Sequence, residues 1–250
     1  MIMKENKNDF IKIPVTTNYN MFNRLPMQRP TLSKHTQELV ESIRILGNTR
    51  QVICCKVDFF TGSKLTYVID GDHLLDSCRR EQIPVRYEYV EVTDKEDLIR
   101  KMAYYNNSSK AWQLRDYINA FSFCNPDYST LQRYMGLYNL EALMIASICN
   151  NSNTYNAVVT SSAKIKNGEF KINNPKAEEM CKAFSDLFIK IGNADRWVKK
   201  QFLNVFIQAY DKYDHKDTLA NIEKHIKTIK VMSDPLYANE FIQKKVFNLI

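Results

Sequence analysis

No stretch of this sequence comes near the ~18 consecutive apolar residues that a membrane-crossing helix needs. Its first ten residues, MIMKENKNDF, hold no apolar block of the kind found in a secretory leader. Both absences lead to the expectation of a cytoplasmic protein with no membrane partner. The six cysteines (Cys54, Cys55, Cys78, Cys124, Cys149, Cys181) form no C-x-x-C pair, and the four histidines (His35, His73, His215, His225) are dispersed. A zinc site therefore has little support, and reduced, mostly buried thiols are the simpler reading. Internal repeats are absent. Carboxylates gather only at Asp70, Asp72 and Asp76, short of the cluster a two-metal nuclease centre uses.

What is present is ordinary for a globular chain. With 250 residues, 44% hydrophobic and 25% charged, it can bury a good core in one or two domains. The net charge of +7 is unevenly spread: residues 1–109 carry 16 Lys and Arg against 14 Asp and Glu, and residues 110–250 carry 19 against 14. The surplus of five in the second half favours a polyanionic partner there.

Residues 1–112 read as mixed α and β. IKIPV (11–15) is a short strand. Thr31 or Ser33 caps a helix through Leu46, with Leu39, Val40, Ile43 and Leu46 on one face and Gly47 at its end. QVICCKVDFF and KLTYVIDG form a hairpin about Thr61-Gly62-Ser63, a helix runs from Asp72 to Glu81, VRYEYVEV alternates as a strand, and Thr93 opens another helix. Residues 113–250 read as almost all helix. NNSNTYN (150–156) suggests a linker and KIKNGEFKI (164–172) a small hairpin about Asn167-Gly168. The fold class is α+β followed by a helical region.

The informative point is VIDGDHLLDSC, where an apolar strand runs into Asp70-Gly71-Asp72-His73 and a helix follows at once. A helix start offers unpaired N–H groups and a partial positive charge, a ready anion site. The alternative is that Asp72 caps the helix while Gly71 takes the turn.

Taken in order, the arginine loop PMQRPTLS, the helix ending Glu41-Ser42-Ile43, the glycine turn GNTRQV, D-G-x-H opening a helix, I-P-V, and the asparagine cluster YYNNSSKAW resemble the N-terminal domain of ParB/sulfiredoxin-like proteins. The phage and mobile-element branch, with Asp-Gly-Gln-His-Arg at the junction, is the most similar, and the resemblance spans roughly residues 10–120. It implies a compact α+β domain whose strand–helix junction holds CTP or ATP phosphates with magnesium. The implied nucleotide-binding residues are Arg29, Gly47, Asn48, Thr49, Arg50, Gly71, Asp72, His73, Asn106 and Asn107, with Asp72 beside the metal. Leu74 stands where relatives carry a phosphate-contacting arginine, and Arg50 is a basic group able to compensate. Sulfiredoxin chemistry is excluded, because Asp72 stands where that reaction needs a thiolate.

Relatives usually continue into a helical DNA-binding domain. Residues 127–150 then read as a helix-turn-helix, Asp127 capping its first helix, although LEALMIASICN has no Lys or Arg for phosphates or guanines. A core helical hairpin is the competing reading. The stronger phosphate contacts are Arg196, Lys199, Lys200, Lys227 and Lys230. The resulting expectation is a DNA-associated binding or regulatory protein of a phage or mobile element, gated by a nucleotide, in a bacterial cytoplasm and as a homodimer on double-stranded DNA. The alternatives are a nucleotide triphosphatase or DNA nuclease, and a protein-interaction module whose nucleotide pocket has decayed.

Overall fold

A computed structural model of the chain describes residues 13–249 other than 30, 32, 107–111 and 152–154. It divides into two compact units, Met1–Ala111 and Trp112–Ile250. Six cysteines are free, five of them buried and Cys124 half-buried. Among the described residues no helix is long and apolar enough to cross a membrane.

The first unit is α+β. Its elements run β1 (Val15–Thr16), β2 (Phe22–Asn23), α1 (Ser33–Leu46), β3 (Gln51–Val57), β4 (Leu65–Asp70), α2 (Asp72–Glu81), β5 (Val85–Tyr89) and α3 (Lys95–Asn106). The sheet order is β1-β5-β3-β4-β2, with β3 antiparallel to β4, and β3–β5 and β4–β2 parallel. The expected hairpin is therefore present, pairing Cys55 with Tyr67 and Val57 with Leu65. Central strands covered on both faces read as near-continuous apolar runs, and VICC and YVI do so. Val52, Cys54 and Val68 pack with Phe22, Ile43, Leu74, Leu75, Cys78 and Val85 into one core. Tyr67 and Ile69 project from the opposite face, and α3 packs against β4.

Several boundaries differ from the sequence reading. Of the first apolar run only Val15 is in a strand, which continues to Thr16, and Ile11 and Lys12 lie outside the described residues. Leu46 ends α1 exposed, while Val40 and Ile43 face the core. Helix α3 starts at Lys95, not Thr93. The Asp97 N–H donates to the Asp94 carboxylate, and the Thr93 N–H donates to Asp97, which moves the start two residues on.

The second unit is helical: α4 (Leu114–Phe121), α5 (Pro126–Tyr138), α6 (Ala142–Cys149), α7 (Tyr155–Asn167), α8 (Ala177–Ile191), α9 (Arg196–Ala209), α10 (His215–Lys230) and α11 (Pro235–Phe241), followed by a π turn at Ile242–Val246. Asn125, not Asp127, caps α5, its side chain accepting the Asp127 N–H at 3.0 Å. The stretch read as a linker runs from the Asn150 cap of α6 to the start of α7 at Tyr155, with 152–154 outside the described residues, and the units divide at 111/112.

The hairpin expected at 164–172 is absent. Asn167-Gly168 ends α7 instead, the Glu169 N–H reaching Lys164 O at 2.9 Å and the Gly168 N–H reaching Ile165 O. This is a Schellman cap, which needs the same left-handed glycine as a tight hairpin turn. Gly168 has φ +80°, and a Cβ there would lie 2.7 Å from Cε1 of Phe121. The buried Tyr128 hydroxyl shares its one proton between the carbonyls of Lys164 and Ile165 and accepts the Phe170 N–H.

Gly71 joins β4 to α2 without a linker. Its φ is +98°, and a Cβ would meet Val52 Cα at 3.2 Å and Cγ2 at 3.3 Å. Gly71→Ala should therefore destabilise the protein by about 1–3 kcal/mol. Gly136, in α5 with open space around its Cβ position, should instead gain about 0.5–1 kcal/mol on Gly136→Ala. Urea denaturation of the two variants checks the opposite signs, and an unchanged midpoint for Gly71→Ala refutes the close-approach argument.

Candidate functional site

The site forms where β4 turns into α2. Gly71 is the helix N-cap and among the described residues no side chain caps the first turn, so the expectation that Asp72 does so is corrected. Asp72 is instead the first helical residue. Its Oδ2 accepts a bond from Arg24 Nη2 at 3.2 Å, and its side chain is only 15% exposed. The same Arg24 nitrogen donates to Arg29 O at 3.1 Å. The loop that carries both arginines is fixed by Gln28, which accepts the Leu25 N–H at 2.8 Å and donates to Val68 O at 2.8 Å. The parallel pairing of β2 with β4 starts that loop beside the junction.

Burial pushes the Asp72 carboxyl up to about 6; Arg24 opposes the shift, while Asp76 and Asp70 add to it. Burial also raises Asp70, against the bond it accepts from the Gly71 N–H. His73 follows on α2. Its Nδ1 lies 3.4 Å from Thr36 Oγ1, and its ring sits edge-on to His35 with centroids 5.7 Å apart. Burial first, then the cationic surroundings of His35, Arg24 and Arg29, hold the imidazole below its ordinary value, with Asp76 opposing. Arg29 is tied to the same junction by its carbonyl, which accepts the bond from Arg24 Nη2. Ser77 ties α2 to α1 by donating to Thr36 O and His73 O.

The other expected residues divide. Gly47 closes α1 by donating to Ile43 O. Asn48 is committed to the turn, its Oδ1 accepting the Arg50 N–H and its Nδ2 lying 3.5 Å from Cys78 Sγ. Thr49 and Arg50 are exposed, directly before the Gln51–Val52 backbone on which Gly71 rests. Asn106 supports the junction from beneath, donating to Ile69 O at 3.3 Å and Met102 O at 2.8 Å. Asn107 lies outside the described residues. Trp112, from the same asparagine-rich motif, is buried edge-on to Tyr117 in the helical unit. Leu74 packs in the core. Neither the depression along α1 (Lys34, Gln37, Glu38, Glu41) nor the one on the helical unit (Glu179, Asp186, Tyr210, His215) includes Asp72 or His73.

Sequence reasoning missed Arg24. The available signal was NRLPMQRP, which holds two arginines five positions apart on one proline-flanked loop.

In the helical unit, α6 cannot serve as a recognition helix. Met144 to Cys149 are all buried, which leaves it no face for a groove. Arg196 is paired with Glu141 at 2.9 Å, and the Lys199 ammonium sits 4.7 Å from the Phe188 ring centre. Lys200 lies half-buried on the same helix as both. Lys227 and Lys230 are exposed on α10. No known protein family and no curated protein matches this chain.

Because the folded Asp72 value stands above its ordinary 3.8, folding takes up a proton between the two. Its contribution to stability is complete below about pH 4 and is lost as pH rises through about 6. Asp72→Asn should remove that dependence. Relative to wild type, the variant gains on the order of 2 kcal/mol between those two pH values. Urea midpoints at both ends check the sign, and a pH-independent difference refutes it.

Proposed function

We propose that the first unit is a phosphate-recognition module of the ParB/sulfiredoxin-like type that takes a nucleoside triphosphate, CTP or ATP. We further propose that the whole chain is a nucleotide-responsive, DNA-associated regulatory protein of a phage or mobile element. The observation that carries the reading is the start of α2. Among the described residues its first-turn amides have no side-chain cap, Arg24 bridges Asp72 and the Arg29 carbonyl beside them, and His73 lies in that turn. Uncapped amides with the helix dipole, next to the Arg24 guanidinium, make a favourable setting for phosphate.

The hydrolase or nuclease reading has less behind it, since among the described residues no three His, Cys, Asp or Glu side chains gather as a metal site. For the DNA role, the charge of the second half supplies the motive and α10 the surface. Lys216, Lys227 and Lys230 fall on one face by helical spacing and are exposed.

Calorimetric titration should show heat with CTP or ATP, displaced by inorganic triphosphate. Arg29→Ala should weaken binding by about tenfold or more, the loss of one charge-assisted contact. The absence of heat with both nucleotides defeats this reading. Separately, duplex DNA should bind weakly with a salt-dependent affinity, and Lys227→Ala with Lys230→Ala should reduce the slope by about two phosphate contacts. If wild type fails to retard any duplex at low salt, the DNA role is wrong, and a protein-interaction module takes its place.

A further inference from the structure

We infer that the tip joining α10 to α11 is a docking surface for an anionic phospholipid bilayer. Val231, Leu236 and Tyr237 fall close together in the chain at this tip, and they are 77%, 83% and 53% exposed. Ser233, Asp234 and Pro235 between them are exposed as well. Single apolar residues at a surface are ordinary, whereas a group of them on one turn marks a contact.

The exposure does not come from a loose end. Ile229, Met232 and Ala238 are buried on the inner side of the same tip. The His225 ring meets Phe241 edge-on with centroids 5.3 Å apart, and Phe241 in turn meets Tyr237 at 5.8 Å, so α11 folds back along α10. The Asp234 carboxylate caps α11 by accepting the Leu236 N–H at 2.8 Å and the Tyr237 N–H at 3.4 Å. The tip is held in a definite shape, with Val231, Leu236 and Tyr237 turned outward.

Charge indicates what covers it. Lys224, Lys227 and Val231 follow one another at helical spacing down the end of α10, Lys230 is next to Val231, and all three lysines are exposed. Residues 224–245 hold five lysines against Asp234 and Glu240 alone. Both acids are engaged, Asp234 in the cap and Glu240 with Lys244 at 2.7 Å. An apolar tip flanked by cations complements a surface that is anionic outside and apolar just beneath, as an anionic bilayer is. Lysine stems lie along such a boundary with their ammonium groups at the headgroups, and tyrosine favours the same depth. Duplex DNA would engage the lysines and leave Val231 and Leu236 in water. A protein partner would need a pocket for each projecting side chain, whereas acyl chains yield to their shape. The expectation of no membrane partner came from the want of a spanning run, and among the described residues no helix crosses a bilayer. Lying on a surface needs no such helix.

The test is co-sedimentation of the full chain with vesicles of phosphatidylcholine alone, and with vesicles in which a third of the lipid is phosphatidylglycerol, at low and at high salt. Wild type should pellet with the anionic vesicles at low salt, bind the neutral ones about tenfold or more weakly, and come off as salt rises. Leu236→Ser with Tyr237→Ser should lower partition into anionic vesicles by about tenfold or more, the contribution of two inserted side chains, while any duplex retardation stays unchanged. Lys227→Gln with Lys230→Gln should lower vesicle partition by about tenfold or more as well. Should a variant fail to fold, the wild-type comparisons of lipid and salt decide. No pelleting with anionic vesicles at low salt, or equal pelleting with both kinds, overturns the inference. Anionic binding that the serine variant keeps undiminished also overturns it, since the tip is then a polyanion face that a duplex would use. A wild type that sediments as a dimer beside a monomeric serine variant does so too, the tip then being covered by a second copy.

Discussion

The contact of Gly71 with Val52 sets the geometry on which the first unit depends. A backbone at φ +98° lying directly on the neighbouring strand lets β4 become α2 within one residue. A longer connection would let the helix start swing away from the sheet. Here it is fixed, and everything attached to the first turn of α2 is fixed with it. The parallel strand β2 then delivers the Arg24–Arg29 loop to the same edge. The Asn48 turn and the Asn106 amide hold the adjoining ends of β3 and β4. Two of the asparagines expected to touch a ligand thus act on the backbone that shapes the junction.

Charge in this protein is spent internally to a degree that net counts conceal. Asp72 sits between one guanidinium and two further carboxylates, with burial the largest influence on it. In the helical unit Arg133 forks onto Glu178, Arg196 reaches Glu141, Lys176 reaches Asp211, and Lys190 meets Glu223. These surface pairs add little stability individually. Their effect is to mask cations that would otherwise face a polyanion. Each pair hides an anion along with its cation, so the surplus of five is untouched, and Lys216, Lys227 and Lys230 on α10 are among the cations left exposed.

Much of the fold was legible because the patterns were local. The runs around VICC and YVI, separated by Thr-Gly-Ser, define the β3–β4 hairpin, and α2 occupies the expected residues 72–81. Asn167-Gly168 misled because hairpin turns and Schellman caps ask for the same left-handed residue. Only the packing of Phe121 and Tyr128 around α7 decides between them. The polar-poor α6 was readable as a core helix, and its burial follows from composition. The Arg24–Asp72 pair was not legible, since it joins residues 48 apart through a sheet whose order is set by long-range pairing. The motif resemblance sets Leu74 where relatives carry a phosphate-contacting arginine. Helical spacing with Leu75 and Cys78 places it in the core.

The distribution of thiols has a practical consequence. Cys54, Cys55 and Cys78 lie buried in the first unit, and Cys149 and Cys181 lie buried in the second. Burial pushes Cys54 up to about 12 and Cys55 to about 11, and it raises Cys78 as well. All five sulfurs are shielded in the native state, so an alkylating reagent reaches them only when the surrounding structure opens. Because each unit holds its own set, residue-resolved alkylation rates separate the opening of the sheet from the opening of the helical bundle. The chain thereby carries native reporters for asking whether a ligand at α2 steadies one unit or both.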